Sequence, residues 1–130
     1  MSMNQTILIV DDNPDDIEIT KIALAEVGRT EKLEAAMRGN LAMDRLRTGR
    51  DLPALILLDL KMPGMSGIDT LRQIRADERL KGIPVIVVTS SSLGSDEKEA
   101  YEAGANSYLQ KAFDIDQFGN NLNYLLERYL

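Results

Sequence analysis

The stretch Ile7-Leu-Ile-Val-Asp-Asp-Asn-Pro-Asp-Asp16 passes from four consecutive apolar residues to four aspartates within six positions. A short apolar run of this kind is typical of a strand. Asn13-Pro14 is typical of a helix N-cap followed by a proline in the first turn. The stretch therefore predicts a strand, an acidic loop and a helix.

Similar apolar runs recur along the chain, and each is followed by a helical pattern. The five predicted strands are Thr6–Val10, Leu33–Met37, Leu55–Leu58, Val85–Thr89 and Tyr108–Gln110. The third and fourth are apolar at consecutive positions, as in strands that are covered on both faces. Five strand–helix units in 130 residues predict one doubly wound α/β domain with a parallel sheet.

Helix boundaries and helix faces are also marked. Ser66 with Asp69 resembles a capping box, and Ser95 is predicted to be another N-cap. Helices are predicted to end at three glycines, Gly28, Gly49 and Gly104. The last helix carries an apolar stripe that should pack on the sheet, formed by Ile115, Phe118, Leu122, Leu125, Leu126 and Tyr129.

The first helix has a shorter stripe, formed by Thr20, Ala23, Leu24 and Val27. A step of about 100° per residue places Ile22 on the opposite side of this helix. A single exposed isoleucine commonly has no function.

Composition excludes several classes of protein. The net charge is -6 and the basic residues are scattered, which argues against nucleic acid as a direct partner. The sequence contains no cysteine or histidine, so any site must use oxygen atoms and lysine. No apolar run approaches the roughly 18 residues of a membrane span, and we expect a cytoplasmic protein with no membrane partner.

Polar residues stand at the ends of four predicted strands. Asp11 and Asp12 follow the first, Asp59 follows the third, Thr89 ends the fourth and Lys111 follows the fifth. In a sheet of order 2-1-3-4-5, strand order reverses between the first and third strands, where ligands bind in such folds. The three aspartates are then predicted to converge on one pocket.

Three neighbouring carboxylates repel one another unless a cation is bound or one of them takes up a proton. Mg²⁺ prefers oxygen ligands, so it suits this site better than zinc. Without the metal, Lys111 can pair with Asp59. The alternative is that these aspartates are helix caps or solvated loop residues.

The sequence resembles a response-regulator receiver domain of two-component signalling over essentially its whole length. The matching segments are Ile9-Val-Asp-Asp-Asn-Pro14, Leu57-Leu-Asp-Leu-Lys-Met-Pro-Gly-Met-Ser-Gly67, Val87-Val-Thr-Ser90 and Gly104-Ala-Asn-Ser-Tyr-Leu-Gln-Lys111. The resemblance implies the flavodoxin-like receiver fold, with five helices around a five-stranded parallel sheet. It also implies one receiver domain over residues 1–130, without an output domain.

The resemblance further implies that Asp59 accepts a phosphoryl group from a sensor histidine kinase. Asp12, Asp59 and the Lys61 backbone carbonyl would bind Mg²⁺, and Asp11 would act through a coordinated water. Such a domain is a phosphoacceptor and not a classical turnover enzyme.

Lys111 and Thr89 would then stabilise the phosphoryl group, and Thr89 with Tyr108 would switch the surface of the fourth helix, fifth strand and fifth helix. The alternative for Tyr108 is an ordinary half-buried strand aromatic. Lys61 and Ser91 are predicted to tune the phosphoryl lifetime, with a solvated lysine as the alternative for Lys61. Where most family members have a proline after the lysine, this chain has Lys111-Ala112, so the peptide bond is either cis or trans.

Three features resemble small stand-alone regulators paired with phytochrome-type kinases: the serines 90–92, the segment Asp114–Phe118 and the Tyr129-Leu130 ending. This resemblance implies that Ile22 lies on the kinase-docking face and allows a homodimer through the last helix. The output is either a direct protein effector or a phosphotransfer protein in a relay.

Two other classes fit the sequence less well. Phosphatases of the haloacid-dehalogenase type have a second aspartate two positions after the nucleophile, but Asp11 is followed there by Asn13. A flavodoxin-like cofactor binder needs a serine- and threonine-rich loop where this chain has aspartates. Asp15 and Asp16 are assigned to the helix start, where negative charge favours the helix dipole.

Overall fold

The computed structural model of the protein describes residues 5–49, 51–112 and 114–130. Its strands are β1 (Thr6–Val10), β2 (Lys32–Ala36), β3 (Leu55–Leu58), β4 (Val85–Thr89) and β5 (Ser107–Gln110). Its helices are α1 (Pro14–Glu26), α2 (Gly39–Thr48), α3 (Gly67–Ala76), α4 (Gly94–Glu102) and α5 (Ile115–Tyr129). All strand pairs are parallel and their order is β2-β1-β3-β4-β5, which confirms the predicted fold and topology.

Two strands begin one residue earlier than the apolar runs predict. β2 begins at Lys32, whose N–H donates to the Gln5 carbonyl, and it ends before Met37. β5 begins at Ser107, whose hydroxyl lies 2.8 Å from the Tyr129 hydroxyl. Both first residues are polar, so hydrophobicity alone does not mark them.

The core consists of two apolar clusters, one on each face of the sheet. One face presents Leu8, Val10, Ile56, Leu58, Val85 and Val87 to α2, α3 and α4. The other presents Ile7, Ile9, Leu55, Leu57, Ile86 and Val88 to α1 and α5. Successive residues of β3 are therefore buried on opposite faces, as the consecutive apolar pattern predicts.

The predicted helix faces are confirmed. In α5, Phe118, Leu122 and Leu126 are buried against the sheet, and the remaining residues of the stripe are partly buried there. In α1, Ala23 and Leu24 join the same cluster, whereas Ile22 faces solvent with 44% of its surface exposed. Among the described residues, no helix combines the length and apolar character needed to cross a membrane.

Most predicted helix ends are confirmed. The Asn13 side chain accepts from the N–H groups of Asp15 and Asp16, and Ser66 caps α3 through the Asp69 N–H. Each N-cap satisfies donors that the first helical turn leaves free. Three glycines follow or cap the helix ends: Gly28 with φ of 83°, Gly104 with φ of 111°, and Gly49 in an extended conformation.

The prediction that Ser95 caps α4 is wrong. α4 begins at Gly94, and its N-cap is Leu93, which has no side-chain cap bond. The Ser91 hydroxyl instead accepts from the Leu93 N–H at 3.2 Å and donates to the Asp96 carboxylate at 2.5 Å. These two bonds hold the start of the helix, and Ser95 lies inside the first turn as its second residue.

Candidate functional site

Three carboxylates meet at the edge of the sheet where the strands end. Asp11 and Asp12 follow β1, and Asp59 follows the neighbouring β3. One oxygen from each carboxylate lies within 4.8 Å of the others. Asp11 and Asp59 are buried, and Asp12 is half-buried. The predicted convergence is therefore present in the structure.

Lys111, which follows β5, reaches into this group. Its Nζ donates to Asp16 Oδ2 at 2.7 Å, to Asp11 Oδ2 at 2.9 Å and to Asp59 Oδ2 at 3.5 Å. The expected pair with Asp59 is thus the longest of the three contacts. Asp16 lies in the first turn of α1 as predicted, but its carboxylate also makes the shortest of these bonds to Lys111, which the sequence did not indicate.

Burial and hydrogen bonding act in opposite directions on these groups. Burial alone would lower the pKa of Lys111, but bonds to Asp16 and Asp11 and the charge of Asp59 raise it above its ordinary value. Burial raises the pKa of Asp11, against the bond from the Asn13 N–H and the effect of Lys111. The ammonium is therefore charged at neutral pH and offsets only part of the surrounding negative charge.

The donor set fits a hard divalent cation. All three side chains of the group offer carboxylate oxygens, which Mg²⁺ and Mn²⁺ accept. The Lys61 N–H lies 3.5 Å from Asp59 Oδ1, so the Lys61 backbone lies beside the group. Electrostatic repulsion among the carboxylates favours binding of a cation there.

Thr89 lies between the strands that lead to Asp59 and Lys111, because β4 pairs with both β3 and β5. Its side chain is fully buried, and its carbonyl accepts from the Lys111 N–H at 2.8 Å. Its hydroxyl accepts from the Ser91 N–H at 3.4 Å. Thr89 therefore connects the acidic edge to the loop after β4.

The two residues predicted to tune the site share a partner that the sequence reading missed. Ser91 Oγ donates to Asp96 Oδ2, and Lys61 Nζ lies 3.5 Å from the same oxygen. The Ser91 bond, helped by the charge of Lys61, lowers the pKa of Asp96. A signal was available in the sequence, since Asp96 is an acidic residue in the first turn of α4.

Tyr108 is half-buried on β5, and its hydroxyl donates to the Ser91 carbonyl at 3.2 Å. Burial raises the pKa of this phenol. Tyr108 and Thr89 are thus both bonded to Ser91. A movement of the loop after β4 would change the contacts of both predicted switch residues.

Gly67, the first residue of α3, packs directly on the backbone of Asp59. Its N–H donates to the Leu60 carbonyl at 3.0 Å, and a Cβ at this position would collide with the Asp59 carbonyl oxygen. The start of α3 therefore fixes the turn that carries Asp59.

Two predictions remain, which concern the Lys111-Ala112 peptide bond and the exposure of Ile22. The described residues contain no cis peptide bond, so the Lys111-Ala112 bond is trans. Ile22 lies on the solvent-facing side of α1 and is exposed enough to contact a partner.

Comparisons with known proteins agree with this geometry. A family model for the response regulator receiver domain matches residues 7–123. The chemotaxis protein CheY of Pseudomonas aeruginosa is 39% identical over 122 residues, which cover 94% of this chain and 96% of that protein.

Two solved structures are also similar. The phosphorylated cyanobacterial phytochrome response regulator RcpA has a TM-score of 0.88 and 30% identity, covering 98% of this chain and 94% of that one. The Mn²⁺-bound form of response regulator Rcp1 has a TM-score of 0.84 and 29% identity, covering 97% and 94%. The chain therefore belongs to the response regulator receiver domain family of two-component signalling.

Proposed function

We propose that this chain acts as a stand-alone response regulator that accepts a phosphoryl group on Asp59 from a sensor histidine kinase. The meeting of Asp11, Asp12, Asp59 and Lys111 at the point where strand order reverses is the observation that supports this role. A carboxylate nucleophile there has the Lys111 ammonium beside it.

In the proposed transfer, an Asp59 oxygen attacks the phosphorus of a phosphohistidine. The new O–P bond forms as the N–P bond breaks, and the imidazole nitrogen keeps the electron pair and takes up a proton from solvent. The Lys111 ammonium and the Thr89 hydroxyl donate hydrogen bonds to the phosphoryl oxygens. The chain itself is modified, so we propose a phosphoacceptor and not a turnover enzyme.

We infer that Asp12, Asp59 and the Lys61 carbonyl bind Mg²⁺, and that Asp11 acts through a coordinated water. When bound, the metal offsets charge between the nucleophile and the incoming phosphoryl group. The all-oxygen donor set supports this assignment.

The proposed switch follows from the same contacts. A phosphoryl group adds about 1.5 to 2 negative charges at neutral pH and draws the Thr89 hydroxyl toward it. Because Thr89 and Tyr108 are both bonded to Ser91, this movement releases the Tyr108 hydroxyl and changes the α4, β5 and α5 surface. Lys61 and Ser91 then set the phosphoryl lifetime through their shared contact with Asp96.

We propose a phytochrome-type kinase as the partner, with Ile22 on the docking face, and a protein effector or phosphotransfer protein as the output. The similarity to a phytochrome response regulator supports the kinase type. A homodimer through α5 has support in the exposed Tyr124 on its outer side.

Intact mass after incubation with Mg²⁺ and a small acyl phosphate tests the assignment. We expect the parent protein to gain one phosphoryl group and Asp59→Asn to gain none. No gain in the parent, or an equal gain in the variant, would contradict the proposal.

A further inference from the structure

A fourth carboxylate, Asp16, takes part in the acidic edge although it belongs to α1 and not to a strand end. It makes the shortest of the three bonds to Lys111, at 2.7 Å. The Asp16 side chain is 31% exposed and that of Lys111 is 16% exposed, so the pair is only partly screened by solvent. This bond is stronger than an ordinary surface ion pair.

The contacts of Lys111 show where its charge is held. An ammonium has three N–H donors, and three carboxylates accept them here. The distances increase from Asp16 to Asp11 to Asp59. The ammonium is thus displaced toward Asp16 and away from the proposed phosphoacceptor.

A divalent cation at the site would act unequally on these partners. Asp11 and Asp59 belong to the carboxylate group that can hold the cation, whereas Asp16 does not. Binding of the cation would weaken the hold of Asp11 and Asp59 on Lys111. Asp16 would keep its full negative charge and would remain the strongest competitor for the ammonium.

We propose that Asp16 is a positioning residue that restrains Lys111, with two opposite consequences. It keeps the ammonium from competing with Mg²⁺ for Asp11 and Asp59, which favours metal binding. It also competes with the phosphoryl group for the ammonium, which slows phosphorylation. The second consequence rests on the proposed function, but the first does not.

Asp15 provides a matched control. It lies in the same first turn of α1, is exposed, and its N–H bonds to the same Asn13 side chain. Asp15→Asn therefore removes the same charge from the same helix end without removing a bond to Lys111. This control measures how the loss of one negative charge on α1 changes the affinity for Mg²⁺ and the rate of reaction with an anionic phosphodonor.

The test measures Mg²⁺ affinity by calorimetry and the rate of phosphorylation by a small acyl phosphate at saturating Mg²⁺. Relative to Asp15→Asn, we expect Asp16→Asn to weaken Mg²⁺ binding and to speed phosphorylation, each by about threefold to tenfold. Asp16→Glu retains the charge and should shift both values back toward those of the parent.

If Asp16 had a purely structural role, its replacement would not weaken Mg²⁺ binding and at the same time speed phosphorylation. The proposal is overturned if Asp16→Asn equals Asp15→Asn in either measurement, or if metal binding and phosphorylation weaken together. If the parent gains no phosphate, the phosphoacceptor assignment fails, and the Mg²⁺ affinities alone decide the role of Asp16.

Discussion

The two ends of the sheet surround their partly buried cationic side chains with different kinds of acceptor. At the carboxyl end, Lys111 faces several carboxylates and bonds three of them. At the amino end, the Arg75 guanidinium donates to the carbonyls of Gly104, Lys81 and Ile83 and to Asn106 Oδ1, at 2.8 to 3.0 Å. One end has too few cationic partners for its charges, and the other matches a charge to neutral acceptors.

The difference indicates that the amino end of the sheet stabilises the fold, whereas the carboxyl end is suited to binding a cation. A guanidinium that donates to three backbone carbonyls and one side-chain amide oxygen ties elements together and needs no ligand. A carboxylate group with excess negative charge costs stability until a cation binds. The amino end can therefore support the energetic cost that the carboxyl end imposes.

Arg75→Met should give the largest loss of stability. It removes the donors to three carbonyls and to Asn106, so we expect the free energy of unfolding to fall by about 2 to 4 kcal/mol. Urea denaturation measures this loss. Arg72→Met on the same helix is the control, because Arg72 is exposed and its ion pair with Glu99 is 4.0 Å long.

The control variant should change the free energy of unfolding by less than about 0.5 kcal/mol. Equal losses in the two variants would remove the contrast between the ends of the sheet.

Glu31→Gln tests the ion pair between Arg29 and Glu31, which also lies at the amino end of the sheet. Arg29 binds both carboxylate oxygens of Glu31, at 3.1 and 2.6 Å, and this lowers the pKa of Glu31 from its ordinary value of 4.5. The stabilisation is therefore present above pH 4.5 and is lost as the pH falls through the lowered pKa. At neutral pH the variant should lose about 1 kcal/mol.

Unfolding of parent and variant over a pH series checks this prediction. The two free energies should converge in acid, and a difference that stays constant with pH would rule out the Arg29 pair as its cause.

At the carboxyl end, Asp12→Asn should increase the stability of the metal-free protein, in contrast to the two variants at the amino end. Asp12 belongs to the carboxylate group, but in the described part of the chain it is not among the three partners of Lys111. Its neutralisation should raise the stability of the metal-free protein by about 1 kcal/mol and reduce the stabilisation by Mg²⁺.

Thermal unfolding in chelator and in Mg²⁺ measures both effects, with Asp15→Asn as the control for charge on α1. If the Asp12→Asn variant is less stable than the parent in chelator, repulsion among the carboxylates does not reduce the stability of this end of the sheet.

Lys61→Ala should have the smallest effect on stability, below about 0.5 kcal/mol, because the Lys61 side chain is exposed and lies 3.5 Å from Asp96. If the proposed function holds, its removal opens the approach of water to Asp59 and speeds loss of the phosphoryl group about twofold to fivefold. The decay of the phosphorylated protein measures this rate. Lys98→Ala, an exposed lysine of α4, is the control, and an unchanged rate in Lys61→Ala would remove Lys61 from the tuning residues.

The parallel strands could be predicted because they depend on local apolar patterns. The meeting of Asp11, Asp12 and Asp59 followed from the strand order of the fold that the sequence resembles and from a general rule for ligand sites in parallel sheets. The bond between Asp16 and Lys111 could not be predicted. Its partners lie 95 residues apart, and a first-turn aspartate already has a sufficient local explanation in the helix dipole.

The prediction for Ser95 failed for a related reason. Several serines near the start of α4 are suitable caps by residue type, and only the fold shows that Ser91 bonds to Asp96. The first residues of β2 and β5 are set by pairing with the neighbouring strand and not by hydrophobicity.

The contact between Gly67 and the backbone of Asp59 has a consequence for the evolution and engineering of this domain. Gly67 has no functional group, yet it is expected to tolerate no replacement, because even one methyl group would push the Asp59 turn aside. A saturation screen for phosphorylation would rank Gly67 beside the acidic residues. If the proposed function holds, substitutions that alter output without loss of phosphorylation are expected on the exposed surfaces of α1, α4 and α5.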